Sequence, residues 1–483
     1  MSARLSALVR RDLDIDPMIE GVTADSRKVR PGFLFAALPG SKVDGRTFID
    51  NALKAGAAAV LAADDVAGVS APVIQALDVR RAYALAAGAF YAAQPPICVA
   101  VTGTNGKTSV AAFCRQIFDH LGHKAASMGT LGVALSPRAG GEQLTPPGLT
   151  TPDAADIAER LAELSRRGVT HLAMEASSHG VDQRRLDWVH LAAAGFLNLT
   201  QDHLDYHGSM DAYRAAKLRL FESLLPRGRT AVLNADSDAY GAFAAAAVAS
   251  GQSVLSVGEA GQGLRLLERR AAPEGQLLTI SAFGETLQTI LPLAGAFQAS
   301  NALVAAGLCI AAGAKPAAVI EALAHIQGAP GRLQRIGSGP RGGEAYVDYA
   351  HTPDGLVTVL SALRPHAKGR LIVVFGAGGD RDRTKRPLMG KAAIQGADLV
   401  FVTDDNPRSE EPGSIRAAIL AAAPGAREIG DRRQAIRAAA AELKDGDVLV
   451  VAGKGHEQGQ IVGAEVLPFD DAAEVAAALG GDA

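Results

Sequence analysis

Residues 101–110 read VTGTNGKTSV, which nearly spells a phosphate-binding loop. The ordinary pattern sets a first glycine five residues ahead of the glycine of Gly-Lys-Thr. Here that place belongs to Val101, and the first glycine is Gly103. Upstream, ICVAVT (97–102) is a short apolar run rich in β-branched residues, and downstream SVAAFCRQIFDHLG has a helical pattern. Strand, glycine turn and helix in that order let backbone N–H groups converge on phosphate oxygens, while Lys107 supplies a point charge and Thr108 a hydroxyl suited to Mg²⁺. ATP or another triphosphate is the expected ligand, and the plain alternative is a strand-to-helix turn with a chance lysine.

Working outward, residues 1–94 alternate apolar runs with alanine-rich ones (FLFAALPG, then NALKAGAAAVLAA) and end at Gln94-Pro95-Pro96, a proline pair that disfavours helix and reads as a linker. Beyond the loop come strand candidates HLAMEAS, LAAAGFLNLT and TAVLNAD and a helix around 301–312. A further unit starts near Gly328-Ala-Pro-Gly-Arg332 and carries YVDYA, LIVVFGAGG, LVFVTDD and DVLVVAGKG. Apolar strands alternating with helices predict buried parallel sheets.

The chain has 483 residues, 48% hydrophobic and 20% charged, with net charge −3, which suits a globular protein of about three domains. Nothing in that balance indicates a nucleic-acid surface or an anionic membrane, so anionic ligands must be held by local sites. The three cysteines, Cys98, Cys114 and Cys309, are too few and too scattered for a disulfide framework or a metal clip, as in a reducing cytoplasm. Neither a signal peptide nor an apolar run of about 20 residues is present, so no membrane insertion is expected.

A phosphoryl site needs oxygen ligands for Mg²⁺. MEASSHG sets Glu175 at the end of an apolar strand, and NLTQDHLDYHG gathers Asp202, His203, Asp205 and His207. The spacing of the second stretch matches no standard tetrahedral zinc set. Its histidines are equally readable as caps or packing groups.

With GTNGKT, MEASSHG, NLTQDHLDYHG and Tyr213-Arg-Ala-Ala-Lys217 in this order, the chain resembles the Mur ligases, ATP-dependent amide ligases of peptidoglycan precursor synthesis. The shortened loop is the form that family uses, shared with folylpolyglutamate synthases. The resemblance runs over essentially the whole chain and implies three α/β domains. These are a UDP-substrate-binding domain at 1–94, a central P-loop ATPase with a mainly parallel sheet at 95–328, and a Rossmann-like amino-acid-binding domain at 329–483. It further implies that ATP is held by Gly103, Thr104, Asn105, Gly106, Lys107 and Thr108 with Asn301, Arg332 and Asp348. Thr108, Glu175 and His203 would serve Mg²⁺, and Lys217 matches the lysine that becomes carbamoylated, an oxygen ligand for a second Mg²⁺. Lys107, His203, Lys217 and Arg332 would be the catalytic set.

Ser26, Ser41, Lys42 and Val43 match positions that hold UDP. Thr150, Thr151, Ser177, Gln183 and Arg185 match those reaching the muramoyl dipeptide of UDP-N-acetylmuramoyl-L-alanyl-D-glutamate. Without the resemblance, LTTPD (149–153) reads as a helix start with threonine capping. TDDNPRSEEP (403–412) likewise reads as a turn. In the resembling family, however, Asp405-Asn406-Pro407-Arg408 marks enzymes that select meso-2,6-diaminopimelate. That amino acid differs from lysine by a second carboxylate, which suits the bidentate fork of Arg408. Arg381, Gly453 and Glu457 match further contacts to it. The expectation is a cytoplasmic monomer acting on small molecules. Its rivals are a lysine-adding ligase of the same family, a folylpolyglutamate synthase, and a binding protein that has lost turnover.

Overall fold

The computed structural model describes every residue except 41, 42, 65, 67, 273, 274 and 481–483. The chain forms two compact units, one of Met1–Leu266, Ser281–Glu285 and Leu303–Ala322, the other of Leu267–Ile280, Thr286–Ala302 and Leu323–Ala483.

Besides the antiparallel pair Ala3–Arg4 and Met18–Ile19, the first unit carries two larger sheets. In the smaller, strands Gly21–Thr23, Phe33–Ala36, Ala59–Ala62 and Val73–Gln75 lie side by side and parallel. The alanine-rich run NALKAGAAAVLAA divides here. Its first half belongs to the helix Ile49–Lys54, Gly56 turns the chain at φ 96°, and Ala59–Ala62 is a wholly buried strand. Alanine alone does not separate a short helix from a strand covered on both faces. The following helix, Val79–Tyr91, ends at Ala92 with φ 51°, just ahead of the proline pair. Its Val79, Tyr83 and Ala87 share a core with Ala154, Ala155 and Ala158, so residue 94 separates two sheets within one compact unit.

The larger sheet of this unit runs, edge inward, Gln143–Thr145, Gly132–Leu135, Ala125–Gly129, His171–Glu175, Ile97–Thr102, Ala193–Phe196, Thr230–Asn234 and Ser253–Gly258. The first two strands are an antiparallel margin, and the others are parallel. Register decides the site. Glu175 pairs with Val101 and Phe196 with Thr102, so the glycine loop, Glu175 and Leu197-Asn198 leave the sheet at one edge. The sequence reading names no strand between 264 and 291, yet Leu264–Ala272, Gly275–Ala282 and Glu285–Leu291 are all extended. Their apolar residues alternate with polar ones instead of forming the solid runs that mark the parallel strands.

In the second unit the order is Gln334–Ser338, Glu344–Asp348, Val448–Ala452, Leu371–Phe375, Leu399–Val402 and Arg427–Glu428. Only the first of these is antiparallel to its neighbour. The four central strands are the four apolar runs seen in the sequence, and separate cores cover their two faces. Asp348, Gly453 and Asp405 all sit at or just past the carboxyl ends of strands, where open α/β sheets bind ligands.

Candidate active site

The glycine loop is held from outside. Thr104 N–H donates to Asn198 O at 3.0 Å, and Thr104 Oγ1 donates to Thr200 O at 3.1 Å. Asn105 N–H donates to Asn198 Oδ1 at 2.9 Å. Gly106 takes φ 89°, a left-handed conformation that costs glycine nothing, and the helix Lys107–His120 begins directly after it. The N–H groups of that first turn have no partner within the helix, as anion binding requires. Lys107 Nζ curls back onto the carbonyl oxygens of Gly103 and Thr104, at 2.8 and 2.9 Å. Asn198 clamps the loop but escaped the sequence reading, although it lies within a stretch that reading singles out.

A second ammonium meets the same carbonyl. Lys217, 1% exposed on the helix Met210–Arg219, donates to Gly103 O at 2.9 Å and lies 4.4 Å from the centre of the Tyr213 ring. Burial first, and then the charge of Lys107, push its amine well below the ordinary lysine range. Both effects favour the neutral amine, the form that reacts with CO₂.

Glu175 is 2% exposed, and its carboxylate lies beside the loop. Thr108 Oγ1 donates to Oε2 at 3.1 Å, and Thr130 N–H donates to Oε1 at 2.8 Å. Thr108 and Glu175 thus form a pair of hard oxygen donors at the helix N-terminus. Among the described residues no three His, Cys, Asp or Glu side chains could hold a metal ion. A carboxylate oxygen and a hydroxyl are donors of the kind Mg²⁺ takes, one or two from protein, with water and phosphate completing its octahedron.

His203 sits beside Asp202. It precedes the short helix Leu204–His207 with φ 52°, keeps 47% of its side chain exposed and pairs with Asp202 at 3.4 Å. Its ring lies 4.9 Å from that of His179, which stacks at 4.0 Å on Tyr206. Burial, then His203 and His207, bring His179 down to about 4, so it is neutral at pH 7.

Residues read for the dipeptide form one network. Thr151 Oγ1 donates to Glu175 O at 3.0 Å and accepts from Ser177 N–H and Oγ, both at 3.0 Å. Thr150 and Thr130 hydroxyls meet at 2.9 Å, joining this network to the Glu175 carboxylate. Arg185 donates to Thr151 O at 2.6 Å and Gln183 Oε1 at 2.7 Å. The expected threonine cap is corrected here. Asp153 caps the helix Ala154–Arg166 by accepting from Ala155 N–H, because Thr151 is committed to Glu175 and Ser177. Ser26 opens a short turn capped by Asp25, and Val43 is exposed. Ser41 and Lys42 lie outside the described residues.

The second unit holds the remaining candidates. Asn301, 5% exposed, donates to Gln298 Oε1 at 3.2 Å, and Gln298 Nε2 donates to Arg332 O at 3.3 Å. Arg332 lies over the Tyr349 ring at 4.5 Å, with its Nε buried and unpartnered. Asp348 accepts from Leu333 N–H at 2.6 Å and Ala350 N–H at 2.7 Å, which fixes the carboxylate at its strand end. Burial pushes that carboxyl upward despite Arg332 and the two N–H donors.

The loop 405–408 is pinned in several places. Asn406 Oδ1 accepts from Lys454 Nζ and Ile461 N–H, both at 2.9 Å, and its Nδ2 donates to Glu457 Oε2 at 2.9 Å. Arg408 has φ 52°, its N–H donates to Ile461 O at 3.0 Å, and its Nη1 donates to Gly379 O at 2.8 Å. Among the described residues its Nε and Nη2 have no partner. Gly453 has φ 121°, and a Cβ there would lie 2.5 Å from Asp405 Oδ2. Arg381 is exposed.

Comparison with known proteins gives the family. The Mur ligase middle domain model matches residues 101–309, the Mur ligase glutamate ligase domain model 331–455, and the Mur ligase family catalytic domain model 18–91. The UDP-N-acetylmuramoyl-L-alanyl-D-glutamate–2,6-diaminopimelate ligase of Caulobacter vibrioides is 69% identical over 483 residues, covering 100% of this chain and 99% of its own. The chain belongs to the Mur ligase family. A solved structure of a ligase with that same description superposes with TM-score 0.74 at 33% identity, over 99% of each chain. This chain also shares its fold with a folylpolyglutamate synthase from Mycobacterium tuberculosis, at TM-score 0.60 and 22% identity, over 75% of this chain and 89% of that one.

Proposed function

We propose that this Mur ligase joins meso-2,6-diaminopimelate to the D-glutamyl γ-carboxylate of UDP-N-acetylmuramoyl-L-alanyl-D-glutamate at the expense of ATP, a step of peptidoglycan synthesis. The observation that carries the choice of amino acid is the loop 405–408. It holds a guanidinium with Nε and Nη2 unspent, beside a carboxylate, Glu457, fixed through one oxygen only. A planar fork for a distal carboxylate and an acceptor for the ammonium beside it suit diaminopimelate. Lysine would leave the fork unpaired.

The γ-carboxylate attacks the γ-phosphorus of ATP, releasing ADP and leaving an acyl phosphate. The diaminopimelate amine then attacks the acyl carbon, and the tetrahedral adduct expels phosphate to give the amide. Within the first unit, Lys107 and the first-turn N–H groups offset charge on the phosphates; within the second, Arg332 offers a cation whose Nε is unspent. Thr108 and Glu175 would hold Mg²⁺, which supplies Lewis-acid neutralisation of the phosphates. The amine of Lys217, kept neutral by burial and Lys107, adds CO₂ and sheds a proton to become an anionic carbamate. Three buried, unpaired cysteines suit a reducing cytoplasm.

The test is the mass of the product. Incubation with ATP, Mg²⁺, UDP-N-acetylmuramoyl-L-alanyl-D-glutamate and diaminopimelate should yield one UDP-linked tripeptide per phosphate released, and none with Lys107→Ala. Phosphate release without the tripeptide would overturn the reading in favour of an uncoupled ATPase.

A further inference from the structure

Beneath the loop 405–408 lies a charge that no candidate role so far uses. Lys454 follows the strand Val448–Ala452 and is 0% exposed, one of two buried lysines among the described residues. Its Nζ donates to Asn406 Oδ1 at 2.9 Å and lies 3.4 Å from Glu457 Oε2. Glu457 keeps 34% of its side chain exposed, so the pair is buried at the lysine end and open at the carboxylate end. Asn406 Nδ2 reaches the same Oε2 at 2.9 Å, and Ile461 N–H donates to Asn406 Oδ1 at 2.9 Å.

This arrangement fixes the asparagine amide by elimination. Two donors meet Oδ1, so Nδ2 must face Glu457 and cannot flip. Oε2 of Glu457 is taken by two donors from within, and Oε1 has no protein partner among the described residues. One oxygen is therefore anchored and the other is left for a ligand cation. Arg432, also 0% exposed, is attracted by both Asp405 and Glu457 but spends its fork on Asp471 at 2.7 and 2.8 Å and on Ala452 O at 2.9 Å. Lys454 is thus the cation that bonds directly to both Asn406 and Glu457.

We infer that Lys454 is a positioning residue for amino-acid selection: it holds Asn406 and Glu457 in the geometry that receives the distal ammonium and carboxylate of diaminopimelate, without touching that substrate itself. The inference rests on the diaminopimelate reading of the loop. Without the ammonium, Asn406 Oδ1 keeps one donor of two, and Glu457 loses the charge that holds its inner oxygen. Its carboxylate is then held by the Asn406 Nδ2 bond alone, and an acceptor fixed in advance becomes one that is costlier to order at each binding event.

The experiment compares wild type, Lys454→Met and Lys454→Gln in steady-state phosphate release, each of the three substrates being varied in turn. Met removes the charge and every donor, whereas Gln keeps similar length and two donors. KM for diaminopimelate is expected to rise about tenfold to a hundredfold in Lys454→Met and less in Lys454→Gln, the range of a lost hydrogen bond to a charged group. KM for ATP and for the UDP-dipeptide should move less than about twofold, a split that general unfolding would not produce. Adding Glu457→Gln to Lys454→Met should cost little more than either change alone, because both act on one carboxylate. An unchanged KM for diaminopimelate, a parallel rise in all three, or additive effects would overturn the inference. Should Lys454→Met fail to fold, Lys454→Gln decides by the same split. Wild type inactive with diaminopimelate would instead refute the substrate reading, and this inference with it.

Discussion

Two lysines on one carbonyl oxygen form an uncommon arrangement, and it makes Lys217 a residue whose chemistry depends on its surroundings. Burial and Lys107 lower its proton affinity, so the amine is free to add CO₂ at a pH where an exposed lysine is not. Lys217→Ala is expected to lower kcat by about 100-fold or more, the scale of losing one preorganised electrostatic group. Wild type stripped of bicarbonate should lose activity and regain it on bicarbonate addition, because the neutral amine needs CO₂ to become the carbamate. Bicarbonate-independent activity would remove the carbamate from the account. At Arg408 the expected change is in selectivity. With Nη1 on Gly379 O and two nitrogens left over, Arg408→Ala should weaken diaminopimelate use while leaving lysine use nearly unchanged. Discrimination should shrink by up to about 10³-fold, measured as the ratio of kcat/KM values.

Strand ends carry most of the candidate site, and the elements that present them differ in how plainly the sequence declared them. The solid apolar runs at 97–102, 371–375 and 448–452 were legible because burial on both faces leaves no polar positions. The strands between 264 and 291 were not, since LLTIS and ETLQT alternate and resemble any half-exposed segment. Capping was misjudged at LTTPD for a tertiary reason: Thr151 bonds Glu175, 24 residues away, and leaves the helix start to Asp153. Gly453 shows a strand end under tight constraint. Gly453→Ala would meet Asp405 Oδ2 and force an alanine to φ 121°, so it should raise KM for diaminopimelate and lower the melting temperature, at a cost of about 1–3 kcal/mol. At the opposite end of the strand His171–Glu175, His171 stacks on His123 at 4.0 Å, and burial, then His123, bring it down to about 4. Its folded proton affinity lies below the unfolded one, so the unfolded chain binds more protons between pH 6.5 and 4, and stability is lost as pH is lowered through that window. His171→Phe should flatten the fall in urea midpoint between pH 7 and pH 5, and an unchanged slope would assign the acid sensitivity elsewhere.

For the whole molecule, the order of motifs along 483 residues carried more information than any one of them. The loop at 103–108 announces a nucleotide, and MEASSHG and NLTQDHLDYHG narrow the family. Yet Asn198, Thr130 and Lys454, which hold those groups in place, have no pattern of their own and emerge only once register brings strand ends together. His203 belongs to a plain motif, and its ring lies with His179 and Asp202. The choice between the two amino acids is read out by phosphate release from ATP in the presence of UDP-N-acetylmuramoyl-L-alanyl-D-glutamate, with meso-diaminopimelate and L-lysine offered in parallel. Strong release with diaminopimelate and background release with lysine is the expected result. Equal or greater release with lysine would contradict the reading of Arg408 and of the loop that holds it.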